Sequence, residues 1–538
     1  MKRKILIYMF GALMVSFLFP TSCTLDEEIL DEYTADVIQS DPELLTNLLA
    51  PPLAAMRQLW WRQSVWGFQE ATSDELCFPT RGNDWYDQGV WQEHYLHTWS
   101  PTHRDVVDTW NRLSNAISDA NAALNNLGVE NEDDQGSVLT GRAQAKFLRA
   151  FYEYYMYDLY RVYPVRDPFN LDYSIQPDYY KDEAGFYRLV SIVKEQLPYM
   201  KRIDIDPVND PSYLQALYGE PTRDAGLMLL AKLYLNKEVY LGIPGWDSCQ
   251  IYLDELIASN RYTLANDYFD MFSVENQNRF TASDNEAILV CVFDDSEDFG
   301  GAGDVMWVRP VFHYNQDFGG TQTDNWNGCM APEEYLQEVW IEGTDTTTDV
   351  RWKDDRVFSD MAVHLGFNYG QQYDARTGDS LTTRGGAPLY FTFECPLEGA
   401  LENEGVRVLK YPPRFPPVNI GRTPNDFVVW RYADVLLMKA ECLARTSHLG
   451  DAEDLVTELR EKRNASPLED FSLDDILAER GRELYWEGHR RQDQIRFGTF
   501  TQPKTNKPEA SPETAILLPI PQTAIDASEG LLVQNEGY

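Results

Sequence analysis

The stretch "VVWRYADVLLMKAECLAR", residues 428–445, decides how this chain folds. Its apolar residues step by three and four positions and so line one face of an α-helix; they are Trp430, Ala433, Leu437, Ala440 and Ala444. The alanines on that face let a second helix approach closely. The next stretch, "LGDAEDLVTELREKRN" at 449–464, predicts that second helix, with Asp451 as its N-cap. Together the two stretches predict a helical hairpin.

A third helix is predicted from "LDDILAERGRELYWEGHRR" at 473–491, and its charge density needs an explanation. Glutamates recur every fourth residue at Glu479, Glu483 and Glu487, and arginines stand between and after them: Arg480, Arg482, Arg490 and Arg491. An exposed pair at this spacing stabilises a helix by about 0.2 to 0.5 kcal/mol. Loss of one member of a buried pair costs about 3 to 5 kcal/mol. Since the charges need no metal or nucleophile to account for them, we interpret them as architecture rather than catalysis.

The amino-terminal half repeats the helical pattern. Residues 105–127 carry an apolar stripe from Trp110 to Leu127, and a second stripe follows at 145–159 after a polar linker. Further helices are predicted at 183–200, 221–240 and 248–260, each a short break from its neighbour. Hairpins of this kind resemble tetratricopeptide-type stacking, although a repeat of about 35 residues is not sustained. The fold class is therefore predicted to be mainly α.

Between the two helical blocks, residues 261–426 have a different composition. They are rich in Gly, Thr, Asn and aromatic residues and contain short strand-like runs, "EAILVCVF" at 286–293 and "APLYFTF" at 387–393. We interpret this segment as a loop-rich insertion that folds onto the helices. The mature chain then divides into a helical block at 23–260 with an aromatic loop at 73–101, the insertion at 261–426, and a second helical block with a tail at 427–538.

The first residues predict an export signal. Three basic residues within Met1–Lys4 precede an apolar run from Ile5 to Phe19 and small residues before Cys23. The pattern resembles a bacterial lipobox, which would make 1–22 a signal peptide and Cys23 the acylated first residue, although Pro20 stands where an aliphatic residue is usual. The alternative is an ordinary secretory signal. Acylation with more than one chain anchors a protein to a membrane stably.

Composition excludes one class of partner. The chain has 46 basic and 86 acidic residues, a net charge of -40, and 43% hydrophobic residues. Nucleic-acid affinity rests on neutralising phosphates with Lys and Arg, so nucleic acid is excluded as a partner. The remaining six cysteines are scattered with no CxxC pair, which favours buried thiols over a zinc site or disulfides.

Signals for metal binding are weak. The acidic run "DDSED" at 294–298 lacks the turn glycine and closing Glu of a calcium loop, so a structural calcium ion stays possible only as a minor alternative to a solvated turn. His94, His97 and His103 lack the order of a zinc motif and are expected in a surface loop. No cofactor is expected.

Several segments together resemble the SusD/RagB family of outer-membrane lipoproteins from Bacteroidota. They are "SCTLDEE" at 22–28, "DTWNRLSNAISDANAALNNL" at 108–127, "RAQAKFLRAFYEYYMYDLYRVYP" at 142–164, "DNEAILVCVF" at 284–293, "DVRWKDDRVF" at 349–358, "WRYADVLLMKAECLAR" at 430–445, "ILAERGRELYWEGHRRQDQIRFG" at 476–498 and "LLPIPQTAIDASEGLLVQNEGY" at 517–538. These segments follow the family's order and cover the whole mature chain.

This resemblance implies a fold and a function. The fold would be four tetratricopeptide-type units that carry irregular ligand-binding segments, with 23–538 as one SusD-like unit. The function would be non-catalytic: a surface lipoprotein that captures oligosaccharides for polysaccharide utilisation and passes them to a TonB-dependent, SusC-like transporter. The acidic residues after Cys23 resemble the tag that sends such lipoproteins to the outer face.

Two irregular stretches supply the residue types that a glycan site needs. Aromatic faces bind the apolar faces of sugar rings, and amides, carboxylates or guanidinium groups bind the hydroxyls. The stretch at 79–99 offers Trp85, Tyr86 and Trp91 beside Arg81, Asn83 and Asp84. The stretch at 306–328 offers Trp307, Tyr314 and Trp326 beside Asn315, Asp317 and Asn327. Aromatic residues in long loops also pin loops to the core, and that alternative applies to each ring.

Two other functions stay open. Aromatic residues and carboxylates also suit a glycoside hydrolase, which requires two carboxyl groups about 5 to 9.5 Å apart. No spacing in the sequence identifies such a pair. A binder of peptides or another non-glycan nutrient, as the RagB branch implies, would use strand edges or apolar pockets instead.

Overall fold

A computed structural model describes residues 41–130, 136–170, 172, 174–203, 211–293, 310–316, 325–354, 364–374, 377–414 and 424–538. Helices predominate, as the sequence predicts. In chain order they are α1 Pro42–Ala55, α2 Val65–Ala71, α3 Val90–Leu96, α4 Arg104–Asn126, α5 Gly136–Tyr160, α6 Asp182–Gln196, α7 Pro211–Ala216, α8 Arg223–Leu235, α9 Lys237–Leu241, α10 Trp246–Ala258, α11 Glu333–Tyr335, α12 Tyr432–Arg445, α13 Leu449–Lys462, α14 Leu473–Leu484, α15 Arg490–Phe497 and α16 Gln522–Ala527.

The strands are short. They are β1 Val162–Val165, β2 Asp178–Lys181, β3 Ala287–Cys291, β4 Lys353–Asp354, β5 Leu365–Asn368, β6 Gly370–Gln371, β7 Tyr390–Phe391, β8 Arg407–Leu409 and β9 Phe427–Arg431. They form the small antiparallel sheets β1-β2, β3-β9, β4-β5-β8 and β6-β7. The mainly α fold class is confirmed.

Helices α4 and α5 form the first predicted hairpin. The stripe on α4 is buried from Trp110 to Leu124, because α5 covers it. The His103 ring caps α4 by accepting hydrogen bonds from two backbone N–H groups of its first turn. Almost every residue of α5 beyond Ala145 is buried, so this helix runs through the interior of the molecule.

The carboxy-terminal hairpin corrects two predictions. Helix α13 begins at Leu449, so Asp451 lies inside its first turn and is not the N-cap. Its negative charge there interacts favourably with the helix dipole. The charged stretch at 473–491 is not one helix. Helix α14 ends at Leu484, the chain turns with positive φ at Trp486 and Gly488, and α15 begins at Arg490.

The charged side chains of this stretch are buried, and they pair with charged side chains of other segments of the fold. Glu483 pairs with Arg463 at the end of α13 (2.9 Å) and with Arg431 at the end of β9 (2.7 Å). Glu479 pairs with Arg351 of the insertion (2.6 Å). All five side chains are excluded from solvent. The network therefore joins the insertion to the second helical block through charges that no solvent screens.

The insertion leaves and rejoins the helical scaffold at one place. Strand β3, predicted from 286–293, pairs antiparallel with β9, which leads directly into α12. The second predicted strand, at 387–393, is reduced to β7. One continuous hydrophobic core contains residues of both helical blocks and of the insertion, among them Trp60, Phe151, Trp340 and Trp430. The segment boundaries at 260 and 426 stay predictions.

The burial of single residues agrees with one of the remaining predictions and contradicts another. The six cysteines other than Cys23 are buried, as expected. His94, His97 and His103 are also buried, against the expectation of a surface loop, because 90–103 packs against α2 and α4. Residues 1–22, Cys23 and 294–298 lie outside the described residues. Within the described ranges, no helix has the length and apolar character needed to cross a membrane.

Candidate ligand-binding site

A tight turn holds the first wall of the candidate site. The backbone N–H groups of Arg81 and Asp84 donate to each other's carbonyl oxygens (3.0 and 3.1 Å). Gly82 has φ +63 and Trp85 has φ +62, so the turn depends on two residues in the left-handed region. This conformation raises Asn83 and Asp84 into solvent and directs the Trp85 indole back toward the insertion.

The second wall comes from the insertion, and a glycine seats it. A Cβ atom on Gly328 would lie 2.2 Å from the Trp85 ring, so only glycine lets the indole pack there. The Trp85 Nε1–H donates to the carbonyl oxygen of Trp326 (2.7 Å). Asn327, buried with φ +49, donates to the carbonyl oxygen of Glu402 (3.0 Å) and accepts from Arg407 (2.8 Å). Polar groups thus fix both segments from below.

The two walls meet around one open cavity of about 360 Å³. The rings of Trp85 and Trp326 lie 6.3 Å apart between centroids and 54° apart between planes, so they present two inclined surfaces. The cavity is lined by Arg62, Asn83, Asp84, Trp85, Asp87, Tyr314 and Trp326. Two indoles and a phenol next to amide, carboxylate and guanidinium groups can bind a ligand with both apolar faces and hydroxyls.

Hydrogen bonds orient the polar groups of the cavity. The Tyr314 hydroxyl donates to Asp84 Oδ2 (2.6 Å). Partial burial and this bond raise the pKa of Tyr314, so its hydroxyl keeps its proton at neutral pH. The Arg384 guanidinium lies over the Tyr314 ring, 4.0 Å from its centroid, and its Nη2 lies 4.0 Å from Asp84 Oδ2.

Glu402 holds Arg384 in this position. Its carboxylate accepts from Arg384 Nε (2.5 Å) and from the Arg384 backbone N–H (2.9 Å). Burial opposes the charge on Glu402, but the bonds from Arg384 outweigh it and lower the pKa of the carboxyl group. His313 Nε2 lies 3.1 Å from the same carboxylate, and burial lowers the pKa of His313 to about 4, so the imidazole is neutral at neutral pH.

The structure gathers five of the predicted site residues around this cavity: Asn83, Asp84, Trp85, Tyr314 and Trp326. Tyr86 is next to them in sequence and 58% exposed. The Asn315 amide is exposed but donates to the carbonyl oxygen of Thr382 (2.7 Å). Trp307 and Asp317 lie outside the described residues. No ligand contact tests these assignments, which stay predictions.

Two predicted residues lie beneath the site rather than in it. Arg81 is only 4% exposed and donates to the carbonyl oxygens of Leu401 and Glu404. Trp91 is 1% exposed, and its Nε1–H donates to Asp87 Oδ2 (2.7 Å). Since neither can touch a ligand in this structure, their role is to support the turn and Asp87. Trp110 and Trp430, which lie on the predicted helical stripes, are buried as that pattern predicts, and Trp99 and Trp340 are buried as well.

Three site residues had no signal in the sequence. Arg62 follows the buried Trp60 after α1, and its guanidinium lies over the Trp326 ring, 4.9 Å from the centroid. Arg384 comes from a Thr- and Gly-rich turn of the insertion. Asp87 lies within the stretch at 79–99 but is not among the site residues that the sequence predicts there. Among the described residues, no group of three His, Cys, Asp or Glu side chains could hold a metal ion.

Known proteins are similar to this chain in sequence and in fold. The chain is 26% identical over 502 residues to the starch-binding protein SusD of Bacteroides thetaiotaomicron. The aligned region covers 88% of this chain and 86% of that protein. Surface glycan-binding protein A of the same organism, solved with laminarihexaose, superposes with a TM-score of 0.62 at 19% identity and covers 91% of this chain and 99% of that one. A SusD superfamily protein from Parabacteroides distasonis superposes with a TM-score of 0.66 at 18% identity over 92% and 99% of the two chains.

The sequence model of the SusD family matches residues 259–538, just over half of the chain. This region holds the β3-β9 pair, the buried charge network and the insertion wall of the cavity. The helical fold, the curated relative and the family match agree, and we conclude that this chain belongs to the SusD family.

Proposed function

We propose that this protein is a non-catalytic, cell-surface glycan-binding lipoprotein that captures oligosaccharides in the cavity between Trp85 and Trp326. The observation that carries the proposal is that two inclined indoles and the Tyr314 phenol, all three half-buried, line one open cavity beside polar side chains. The proposal requires no cofactor.

The ring geometry supports a saccharide over a purely apolar ligand. A planar ring face covers the C–H groups of a sugar, while the carboxylates of Asp84 and Asp87 and the amide of Asn83 can bind hydroxyl groups at the same time. Two rings inclined by 54° would each face a different sugar unit of a bent chain. A single flat apolar ligand could lie against only one of them.

The relatives support a binding role over hydrolysis. The curated relative is named as starch-binding, and the solved neighbour is named as glycan-binding. Asp84 accepts from the Tyr314 hydroxyl and Asp87 accepts from the Trp91 indole, and each carboxylate keeps acceptor sites for a sugar hydroxyl.

Anchoring and delivery extend the proposal. The leader and Cys23 support a lipid anchor in the outer membrane, and family membership supports delivery to a TonB-dependent, SusC-like transporter. Both follow from the leader sequence and the family resemblance. Co-purification of the transporter with the tagged, membrane-extracted protein is the corresponding test.

Affinity electrophoresis against a panel of polysaccharides tests the binding function. We expect at least one glycan to retard the protein, and expect Trp85→Ala and Trp326→Ala each to weaken binding roughly 10- to 100-fold, because each removes an indole face worth about 1.5 to 3 kcal/mol of contact. The control is Tyr199→Ala, which removes an exposed ring three residues after α6, outside the cavity.

Other outcomes would redirect the assignment. Reducing ends that accumulate when the purified protein is incubated with its glycan would identify a hydrolase. Retention unchanged in both tryptophan variants would disprove this site. Binding to peptides and to no polysaccharide would favour the non-glycan branch of the family.

A further inference from the structure

Two cysteines from distant parts of the chain meet beneath the candidate site. Cys77 Sγ lies 3.2 Å from Cys395 Sγ, and both residues are buried. Cys77 belongs to the aromatic loop, and Cys395 to the insertion. We propose that these two thiols form a disulfide in the exported protein, which ties the aromatic loop covalently to the insertion.

Backbone hydrogen bonds hold the two segments in register. Cys77 exchanges two backbone bonds with Met330, each 3.0 Å long. Three residues further on, the Thr80 N–H donates to the carbonyl oxygen of Leu397 (3.0 Å), and the Ala400 N–H donates to the carbonyl oxygen of Thr80 (2.9 Å). The sulfurs are therefore brought together by main-chain pairing and not by flexible side chains alone. A disulfide requires the S–S distance to shorten by about 1 Å.

The bridge would brace both walls of the cavity. The turn that presents Asn83 to Trp85 begins four residues after Cys77, and Glu402, which holds Arg384 over Tyr314, lies seven residues after Cys395. Arg81 already crosses between the same segments by donating to the carbonyl oxygens of Leu401 and Glu404. A covalent bond at the base of these contacts would keep the two walls at a fixed separation when no ligand is bound.

Thiol–disulfide exchange with an exported oxidoreductase balances the reaction. One cysteine thiolate attacks the disulfide of that protein and forms a mixed disulfide, and the second cysteine displaces it. Cys77 and Cys395 lose two electrons and two protons, and the oxidoreductase gains them as a dithiol. Because both sulfurs are buried in the folded chain, the exchange must precede the docking of 77–81 on 395–401.

Tryptic mapping without reductant tests the bridge directly, and it needs no ligand. Cleavage after Arg62 and Arg81 gives a peptide at 63–81 whose one cysteine is Cys77, and cleavage after Arg384 and Arg407 gives a peptide at 385–407 whose one cysteine is Cys395. The full chain, expressed with its own leader, is denatured in the presence of an alkylating reagent. We expect mass spectrometry to find 63–81 joined to 385–407 in most molecules and separated by reductant.

A cytosolic form of the chain without residues 1–22 is the control and should give the two peptides separately alkylated. The same result from the exported chain would overturn the proposal. Because the mapping measures only covalent linkage, its result tests the disulfide without depending on whether the protein binds a glycan.

A stability measurement adds a second readout. We expect reductant to lower the Tm of the exported wild type by several degrees and to leave the Cys77→Ala, Cys395→Ala double variant unchanged. The Cys291→Ala variant alters another buried cysteine and should keep the full response to reductant. A Tm that does not respond to reductant in the wild type would contradict a stabilising bridge.

Discussion

At the scale of single residues, substitution of Glu483 is expected to lower the stability of the protein strongly. Arginines from three parts of the chain pair with its carboxylate: Arg351 (3.0 Å), Arg431 (2.7 Å) and Arg463 (2.9 Å). Burial opposes its charge, but the arginines outweigh burial and hold the pKa of Glu483 well below its usual range. We expect Glu483→Gln to lower the free energy of unfolding by about 3 to 5 kcal/mol, because it leaves buried arginines uncompensated.

Urea denaturation followed by circular dichroism measures this loss. Glu453→Gln is the matched control, since Glu453 is exposed on α13, and its effect should stay within about 0.5 kcal/mol. Equal stability of the two variants would mean that the network does not stabilise the fold.

Glu70 predicts a pH dependence of stability. Its Oε1 accepts the backbone N–H of Gly488 (2.5 Å), and burial raises the pKa of Glu70 to about 7. A carboxyl whose pKa rises on folding stabilises the fold below its unfolded pKa, and this contribution is lost as pH rises through the folded value. Between about pH 5 and 7 the free energy of unfolding should therefore fall by up to about 1.4 kcal/mol per pH unit from this group.

Burial and the neighbouring Glu70 carboxyl also raise the pKa of Glu75, so both groups contribute to the slope. Glu70→Gln keeps the acceptor for Gly488 and removes the titration of Glu70 itself. We expect the variant to show a shallower decline of stability from pH 5 to pH 8 in urea denaturation. Parallel profiles for wild type and variant would assign the pH dependence to other groups.

At the scale of elements, the turn at 485–489 decides the direction of α15. Gly488 has φ +82, and its N–H is held by Glu70. We expect Gly488→Ala to cost about 1 to 2 kcal/mol, because a Cβ is strained in the left-handed region. Thermal unfolding measures the loss.

Gly450→Ala provides the contrast. Gly450 lies in the first turn of α13, and a Cβ there meets open space. Alanine is favoured over glycine within a helix, so this variant should be neutral or stabilising by up to about 1 kcal/mol. If Gly488→Ala is equally well tolerated, the left-handed turn is not a constraint on the fold.

At the scale of the whole molecule, the shared core predicts that the segments do not fold alone. The Trp60 ring stacks on Phe427 (4.4 Å between centroids), and Phe151 packs edge-on against Trp430 (5.4 Å), so the first helical block packs on two rings of β9. We expect a fragment of residues 41–260 to lack a cooperative thermal transition, whereas the full mature chain shows one. A cooperative transition in the fragment would establish 41–260 as an independent domain.

The sequence by itself determined most of the helices and the family resemblance. The apolar residues from Trp110 to Leu124 and from Trp430 to Ala444 recur with the 3.6-residue period of a helix. This period depends only on local spacing, so α4 and α12 can be predicted from the sequence alone. The leader, Cys23 and the order of the family segments are equally local features. They were sufficient to predict a mainly α fold and a glycan-binding role.

Only the tertiary structure decided how the candidate site is assembled. Trp85 and Trp326 are 241 residues apart in sequence, and Gly328 seats one indole against the segment of the other. The burial of Arg81 and Trp91, the position of Arg384 over Tyr314 and the break at Trp486 all depend on which segments pack together. The physical reason is that periodicity encodes which face of a helix is apolar, whereas long-range contacts depend on packing between surfaces that no local pattern specifies.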